Sequence, residues 1–318
     1  MNPVLNYLLS ALSIGMTFLL GCTGEIVTEK VGHLNLGIPG IMCMGGAGGC
    51  LALTMMYRSA VPPVLIVIIA LLATLLTGAL MGAIYCFLTV TLKANQNVTG
   101  LAMTTFGVGT MKFIMHRWSA MPIRYLYALK YFRFPFGNQK GSLIYCGFMV
   151  VLAIVIALAT SFVLFRTKVG LHLRAVGENP ATADAAGIRV SLYKYVATCI
   201  GSGIAALGGI FYIMVYSGSP EAYKSIEPFG WLSIALVIFT LWKPHISIFG
   251  AVVFGALFVA GSFIPTLFKL NLPMYATYLF QMLPYIVTIV VLIVTSVRKK
   301  RENQPPASLG LPYFREER

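Results

Sequence analysis

An all-α, polytopic membrane bundle of about eight to ten transmembrane helices is the fold this chain predicts, on three observations. Hydrophobic residues make up 58% of the 318 residues and charged ones 10%, with a mean hydropathy of +0.85, more apolar side chain than a soluble domain can bury. Apolar runs of about 20 residues, the length that crosses a bilayer, recur along the whole chain. The polar stretches between them are short and rich in Lys and Arg, as connectors of membrane spans are. A formal charge of +14 therefore belongs to connectors and the C-terminus and not to a folded basic face, which argues against nucleic acid as a partner.

Candidate spans lie at 5–27, 36–56, 61–92, 98–116, 143–165, 194–216, 229–242, 246–270 and 277–297, about nine passes. The first is long enough to span and lacks a basic leader, so it is expected to remain in the mature protein. The third is long enough to be tilted, broken or partly re-entrant, and the seventh is short. Gly45, Gly46, Gly48 and Gly49 in the second run, Gly78 and Gly82 in the third, and Gly201, Gly203, Gly208 and Gly209 in the sixth let helix backbones approach closely, as in a tightly packed bundle. Lying inside apolar runs, and with no G-x-x-x-x-G-K-[ST] loop anywhere, they do not form a nucleotide site.

Basic residues orient the bundle. Arg298, Lys299, Lys300 and Arg301 follow the last span, and Arg166, Lys168, Arg174, Arg189 and Lys194 fill an insert at 166–194, so both segments are expected on the cytoplasmic side. The passes between them are even in number, and a count of about nine puts the N-terminus outside. The connector at 117–142 carries Arg117, Arg124, Lys130, Arg133 and Lys140 without an acid, yet falls on the outer side. Its interleaved Tyr125, Tyr127, Tyr131, Phe132 and Phe134 suit an interfacial belt; the alternative is a different span count.

The cores of the spans are expected to hold no ionisable group, since Glu25, Glu29, Lys30, Lys93 and Lys112 lie toward span ends. That disfavours a proton- or sodium-driven carrier. Neutral polar residues do occur, among them Asn35, Asn97, Thr99, Thr104, Thr105, Ser202, Ser233 and Gln281. They suit a neutral polar solute, the alternative for each being a hydrogen bond to a neighbouring helix. His33, His116, His172 and His245 lie near connectors, where a solvated histidine is ordinary, and no H-E-x-x-H occurs, so no catalytic residue is assigned. Cys22, Cys43, Cys50, Cys86, Cys146 and Cys199 lie in apolar segments without C-x-x-C spacing and read as small core residues, with neither disulfide nor metal site.

The insert contains RAVGENPATADAAGIRV. Asn179 can cap a helix and Pro180 is tolerated at its first position. Ala181, Ala183, Ala185 and Ala186 continue it, and Gly187 can end it with a positive φ. A helix of about two turns is marginal in water and needs a surface to pack on, either its own cytoplasmic face or a groove on a soluble partner.

The longer run RAVGENPATADAAGIRVSLYKYVATCIGSGIAALGGIFY resembles the cytoplasmic signature of ABC importer permeases in the branched-chain amino acid, ribose and nucleoside family. EIVTEKVGHLNLGIPGIMCMGGAGG from Glu25, NVTGLAMTTFG from Asn97, FGWLSIALVIFTLWKP from Phe229 and MLPYIVTIVVLI from Met282 support it in order and spacing. The ending PPASLGLPYFREER resembles the nucleoside-type branch. Pro39 departs from the pattern, since many relatives carry an acid there.

The resemblance implies a permease domain over 1–298 and a cytoplasmic tail over 299–318. It implies a coupling helix in which Glu178, Asn179, Pro180, Ala181, Asp184, Ala185 and Gly187 dock a cytoplasmic ATPase. ATP and Mg would sit on that ATPase, with no cofactor on this chain. Also implied are a second homologous permease, as heterodimer or alternatively homodimer, an external solute-binding protein or lipoprotein, and a multi-pass place in the bacterial cytoplasmic membrane with the C-terminus inside. Nucleosides would be carried inward; ribose-type sugars, or a secondary carrier without an ATPase, are the alternatives. For the solute path the candidates are Asn35, Asn97, Thr104, Thr105 and Phe106, whose amides and hydroxyls can hydrogen-bond a ribose or base and whose ring can stack on one; helix packing is the alternative role.

Overall fold

The computed structural model of the chain describes residues 3–117, 124–133, 147–267, 274–298 and 304–314. Phe134, Lys140, Cys146, Lys299, Lys300, Arg301 and the Gln281 side chain lie outside the described residues. Each apolar run corresponds to a helix: α1 (Pro3–Lys30), α2 (Ile38–Met55), α3 (Pro63–Cys86), α4 (Gln96–Arg117) and α5 (Phe148–Arg166). The insert holds α6 (Lys168–Glu178) and α7 (Pro180–Ala185), followed by α8 (Val190–Phe211), α9 (Glu227–Phe239), α10 (Pro244–Leu267) and α11 (Met274–Arg298). Two spans end in π turns, Phe87–Thr91 after α3 and Tyr212–Ser217 after α8. No strand occurs among the described residues.

By length and composition, 7 helices can cross a membrane: α1, α2, α3 with its π turn, α4, α5, α8 with its π turn, and α10. The expected nine exceed that number because α9 has only 13 residues, roughly 20 Å of helix against a hydrocarbon core of about 30 Å. In α11 the apolar part narrows to Tyr278–Val294.

Hydrogen bonds sort the connectors into two faces. Gly310 N–H donates to Gly32 O (3.3 Å), Ser308 N–H to Gly177 O (3.1 Å), and Gln96 Nε2 to Leu311 O (3.3 Å). The turn after α1, the start of α4, the insert and the tail segment 304–314 therefore share one face. The end of α9 joins them, because the Trp242 indole donates to Glu29 near the end of α1. On the opposite face Tyr125 Oη donates to Ser219 O (3.1 Å) and Pro220 O (3.2 Å), Arg133 Nε donates to Met214 O (3.1 Å), and Tyr57 meets Tyr127 edge-on at 5.5 Å. The described part of the basic connector, 124–133, thus lies opposite the insert, as the single span between them requires.

α1 occupies the centre, between α8 and α10 with α9 and α5 beside them, and every residue from 13 to 29 is buried. A helix apolar all round can be buried all round. Its neighbours come close where glycines remove the Cβ. A Cβ on Gly201 would stand 2.5 Å from Gly24 O, and one on Gly107 of α4 would meet the Gly40 backbone of α2, Gly40 C at 2.6 Å. Between lipid-embedded helices such backbone contact supplies the dispersion energy that leucine against lipid does not.

α1 is wrapped by protein to its very end. Glu25 (0% exposed) and Glu29 (4%) lie toward the end of α1 as expected, and Lys194 near the start of α8, but all three are enclosed by protein, so buried ionisable groups are present at span ends. His33 is likewise buried, not solvated. Its Nδ1 lies 3.0 Å from Thr198 Oγ1, and burial, with Lys194 nearby, lowers its pKa well below the usual histidine value. Cys22, Cys43, Cys50 and Cys86 are buried and unpaired, and Cys199 is half-buried, in keeping with small packing residues.

Candidate functional site

The insert is organised from its own residues. Thr167 Oγ1 accepts from Gly170 N (3.2 Å) and starts α6. Its buried Gly170, Leu173, Val176 and Gly177 lie on one face at helical spacing. This helix falls in a stretch that reads as a polar loop; the spacing of those four residues was the available signal. Asn179 Oδ1 accepts from Thr182 N (3.0 Å) and caps α7, with Pro180 at its first position. At the other end Ile188 N–H donates to Ala183 O (3.0 Å) and Gly187 N–H to Asp184 O (3.0 Å), while Gly187 takes φ +83°. That is a Schellman closure, which needs the left-handed residue glycine supplies.

α7 presents Ala181, Thr182, Ala185, Ala186 and Gly187 outward, together with Glu178 and Asn179 just before it; Ala183 is its buried contact. Small exposed side chains on a capped, well-held turn give a convex knob that a concave partner can grip without ordering long side chains. The knob is anchored behind. Tyr313 Oη donates to Asp184 Oδ2 (2.9 Å), Ser308 Oγ donates to Gly177 O (2.5 Å), and Gly177 packs on the Lys30 backbone. Contiguous contacts therefore run from α7 and α6 to the tail and the end of α1. Truncation before residue 304 removes these bonds. At about 0.5–1.5 kcal/mol net for each hydrogen bond, the truncated protein should lose a few kcal/mol, measured as a lower melting temperature in detergent.

The turn at 31–37 is held by side chains from three helices. Leu34 N–H donates to Gln96 Oε1 (2.8 Å), Tyr85 Oη to Leu34 O (2.7 Å), Thr104 Oγ1 to Leu36 O (2.8 Å), and Asn35 N–H to Glu25 Oε1 (3.1 Å). Asn35 Oδ1 itself accepts from Gly37 N (3.0 Å). Pro39 stands in the first turn of α2, packed against Gly230 of α9.

The five path candidates divide accordingly. Asn35 and Thr104 are buried, and their oxygens serve the turn, so neither side chain lines an open surface. Asn97, Thr105 and Phe106 lie together on the exposed side of α4. That side mixes polar and apolar residues at helical period: Asn97, Val98, Leu101, Ala102, Thr105, Phe106, Gly109, Lys112, Phe113 and His116 are all exposed. The corresponding stripe of α3 is Val64, Leu65, Ile68, Leu72, Leu76 and Leu80, as a lipid contact should be. Thr105 Oγ1 donates back to Leu101 O within the helix (3.2 Å), while Asn97 stands in the first turn of α4 and Lys112 and His116 toward its end, where polar side chains can reach headgroups and water.

A bundle of helices long and apolar enough to cross a membrane, with a capped external helix on one face, is the architecture of a polytopic membrane protein. The chain belongs to the family described as branched-chain amino acid transport system / permease component, whose model matches residues 7–292. It is a multi-pass membrane protein. Among curated proteins it is 30% identical to "Nucleoside ABC transporter permease protein NupC" of Lactococcus lactis, over 85% of this chain and 85% of that one. It is 28% identical to "Guanosine ABC transporter permease protein NupQ" of Bacillus subtilis, over 94% and 93%. A further match at 30% identity, over 75% and 71%, is the Haloferax volcanii protein named "Putative glucose ABC transporter permease protein TsgC13".

Proposed function

We propose that this chain is the permease subunit of an ATP-driven importer that carries nucleosides across the bacterial cytoplasmic membrane. The family match over residues 7–292 carries the reading, and the exposed side of α4 supplies the candidate path. Set against the same face of a second permease, Asn97, Thr105 and Phe106 would line a shared aqueous path. Amide and hydroxyl would hydrogen-bond sugar or base, and the ring would stack, without the cost of an ionic site. The second permease is a homologue, in a heterodimer or a homodimer. The insert face and the tail are cytoplasmic in this reading.

α7 is then the coupling helix. Glu178, Asn179, Pro180, Ala181, Asp184, Ala185 and Gly187 form the knob that a cytoplasmic ATPase grips, and ATP with Mg belongs to that ATPase. Its closure would bias the bundle between two arrangements through the contacts of α6, the tail and the turn at 31–37. An external solute-binding protein would deliver the cargo. The chain contributes no catalysis of its own.

Two relatives named for nucleosides or guanosine, each matching most of the chain, support the solute class. The relative named for glucose favours a second reading, a simple-sugar permease. Both are tested by reconstituting the permease with its ATPase and binding protein in vesicles and following radiolabelled adenosine, uridine, ribose and glucose. Nucleoside should accumulate with ATP and stay at background without it. Accumulation of the sugars alone would favour the second reading, and uptake driven equally by a proton gradient without ATP would reject the mechanism.

A further inference from the structure

Glu25 and Glu29 stand one turn apart on α1, a spacing that sets both side chains on the same face. Both are closed off from water, and among the described residues neither forms an ion pair. Their carboxyls are nevertheless hydrogen-bonded to each other. An ionised carboxylate can only accept, so that bond requires a proton on one of the two. Two bare carboxylates here would add repulsion to the cost of burying each charge. Glu25 Oε2 marks the place for the proton, since it is buried and has no hydrogen-bond donor facing it among the described residues.

The other oxygens are committed to two different segments. Glu25 Oε1 accepts from Asn35 N–H of the turn at 31–37 (3.1 Å), and Glu29 Oε2 accepts from the Trp242 indole after α9. Trp242 reaches it from a costly backbone, because Leu241 and Trp242 both take positive φ, +54° and +57°, a region that large side chains avoid. Strain of this kind gathers at parts of a protein that switch. The charged and titratable neighbours are Cys22, Tyr85 of α3 and half-buried Lys30, which lies among Arg174 and Glu178 of α6 and Lys243 after α9. Tyr85 and His33 are committed to Leu34 O and Thr198, with Lys194 of α8 behind His33. Lys30, next to Glu29, favours keeping the negative charge on Glu29 and the proton on Glu25.

We propose that Glu25 and Glu29 form a one-proton latch, which while protonated fastens the end of α1 to the turn at 31–37 and to the end of α9. Release transfers the proton to water and leaves two carboxylates one turn apart that repel. The turn also anchors α3 and α4 through Tyr85, Gln96 and Thr104, and the end of α1 packs on Gly177 of α6. The latch therefore sits where the insert meets the bundle, and its protonation sets how rigidly the two are joined. It depends on neither the solute nor the identity of the ATPase. In the unfolded chain both carboxyls ionise in the ordinary range, so at neutral pH the folded protein holds one proton more. Stability must then fall as pH rises, the folding constant dropping up to about tenfold per pH unit until the shared proton is lost.

The test uses the full-length protein in detergent, with a heavy carbon isotope in its glutamate side-chain carboxyls. Infrared spectra and melting temperature are followed from about pH 6 to about pH 9. Wild type should show the isotope-shifted carbonyl band of a protonated glutamic acid at neutral pH, and should lose it as melting falls on the alkaline side. Glu25→Gln and Glu29→Gln should each lack the band, because an amide donates to the remaining carboxylate without a titrating proton. Glu25→Gln should melt at or above wild type and stay level through the alkaline range, whereas Glu25→Ala, which offers no donor, should melt lower throughout. Rescue by the amide and not by alanine separates a bonding proton from the bulk of the side chain. Should the variants fail to fold, the wild-type band decides alone. Its absence at neutral pH, its persistence in both glutamine variants, or an equal alkaline loss of stability in wild type and Glu25→Gln would overturn the proposal.

Discussion

Deletion of residues 179–186 will bring the ATPase that co-purifies with this chain down to background, while the permease still inserts and folds. The expectation follows from where α7 sits. It projects from the insert face, with Ala183 as its buried contact and Ala181, Ala185, Ala186 and Gly187 open to a partner. Its removal opens no hole in the bundle core, which α1 and its neighbours form without it. The loss should exceed tenfold, because a docking knob concentrates interface energy in a few residues. Glu178→Lys, which reverses one exposed charge beside the cap, should weaken association by a smaller factor. Pull-down of a tagged ATPase from membranes, with permease abundance measured in parallel, checks both. Undiminished capture by the deletion variant would remove α7 from the docking role.

Gly107→Val will be nearly as damaging, through packing and not through docking. A Cβ at Gly107 would stand against the backbone of Gly40, Gly40 C at 2.6 Å and Cα at 2.7 Å, and a Cβ at Gly40 would stand 2.6 Å from Thr104 Cα. Neither neighbour is a flexible side chain that can swing away, so α2 and α4 must separate. Overpacking of this kind costs about 1–3 kcal/mol, and backbone against backbone puts this pair toward the upper end. Gly109→Val is the internal comparison: two residues further along α4, its Cβ meets nothing within 4 Å. Melting in detergent should therefore drop for Gly107→Val and Gly40→Val and stay near wild type for Gly109→Val. Equal melting of all three would show that α2 and α4 are not held at the spacing described.

The helices and their order were legible because hydrocarbon imposes a simple rule on every span, and each apolar run answers to a helix. The cap and stop of α7 were legible too, since Asn179, Pro180 and Gly187 act on their immediate neighbours. Less could be read where distant segments meet. Glu25 and Glu29 stand near the end of an apolar run, where a headgroup layer is the ordinary surrounding; only the packing of α8, α9 and α10 around α1 encloses them. Asn35 and Thr104 resemble open polar positions until the turn at 31–37 folds back and claims their oxygens. α6 was hidden by the charges around it, although its buried face keeps helical spacing. The distinctive side of α4 could not be separated from its packed side without knowing which way the helix turns, because Thr104 and Thr105 are adjacent in sequence and differ only in that rotation.

The clasp between Ser308, Gly310 and Tyr313 and the insert has a practical bearing on how this protein is handled. A purification handle or fluorescent reporter joined just beyond Tyr313, which bonds Asp184, would be tethered next to α7 and would crowd a partner seated there as proposed. Placed ahead of α1, on the far side of the bundle, the same fusion would report on the protein without obstructing it.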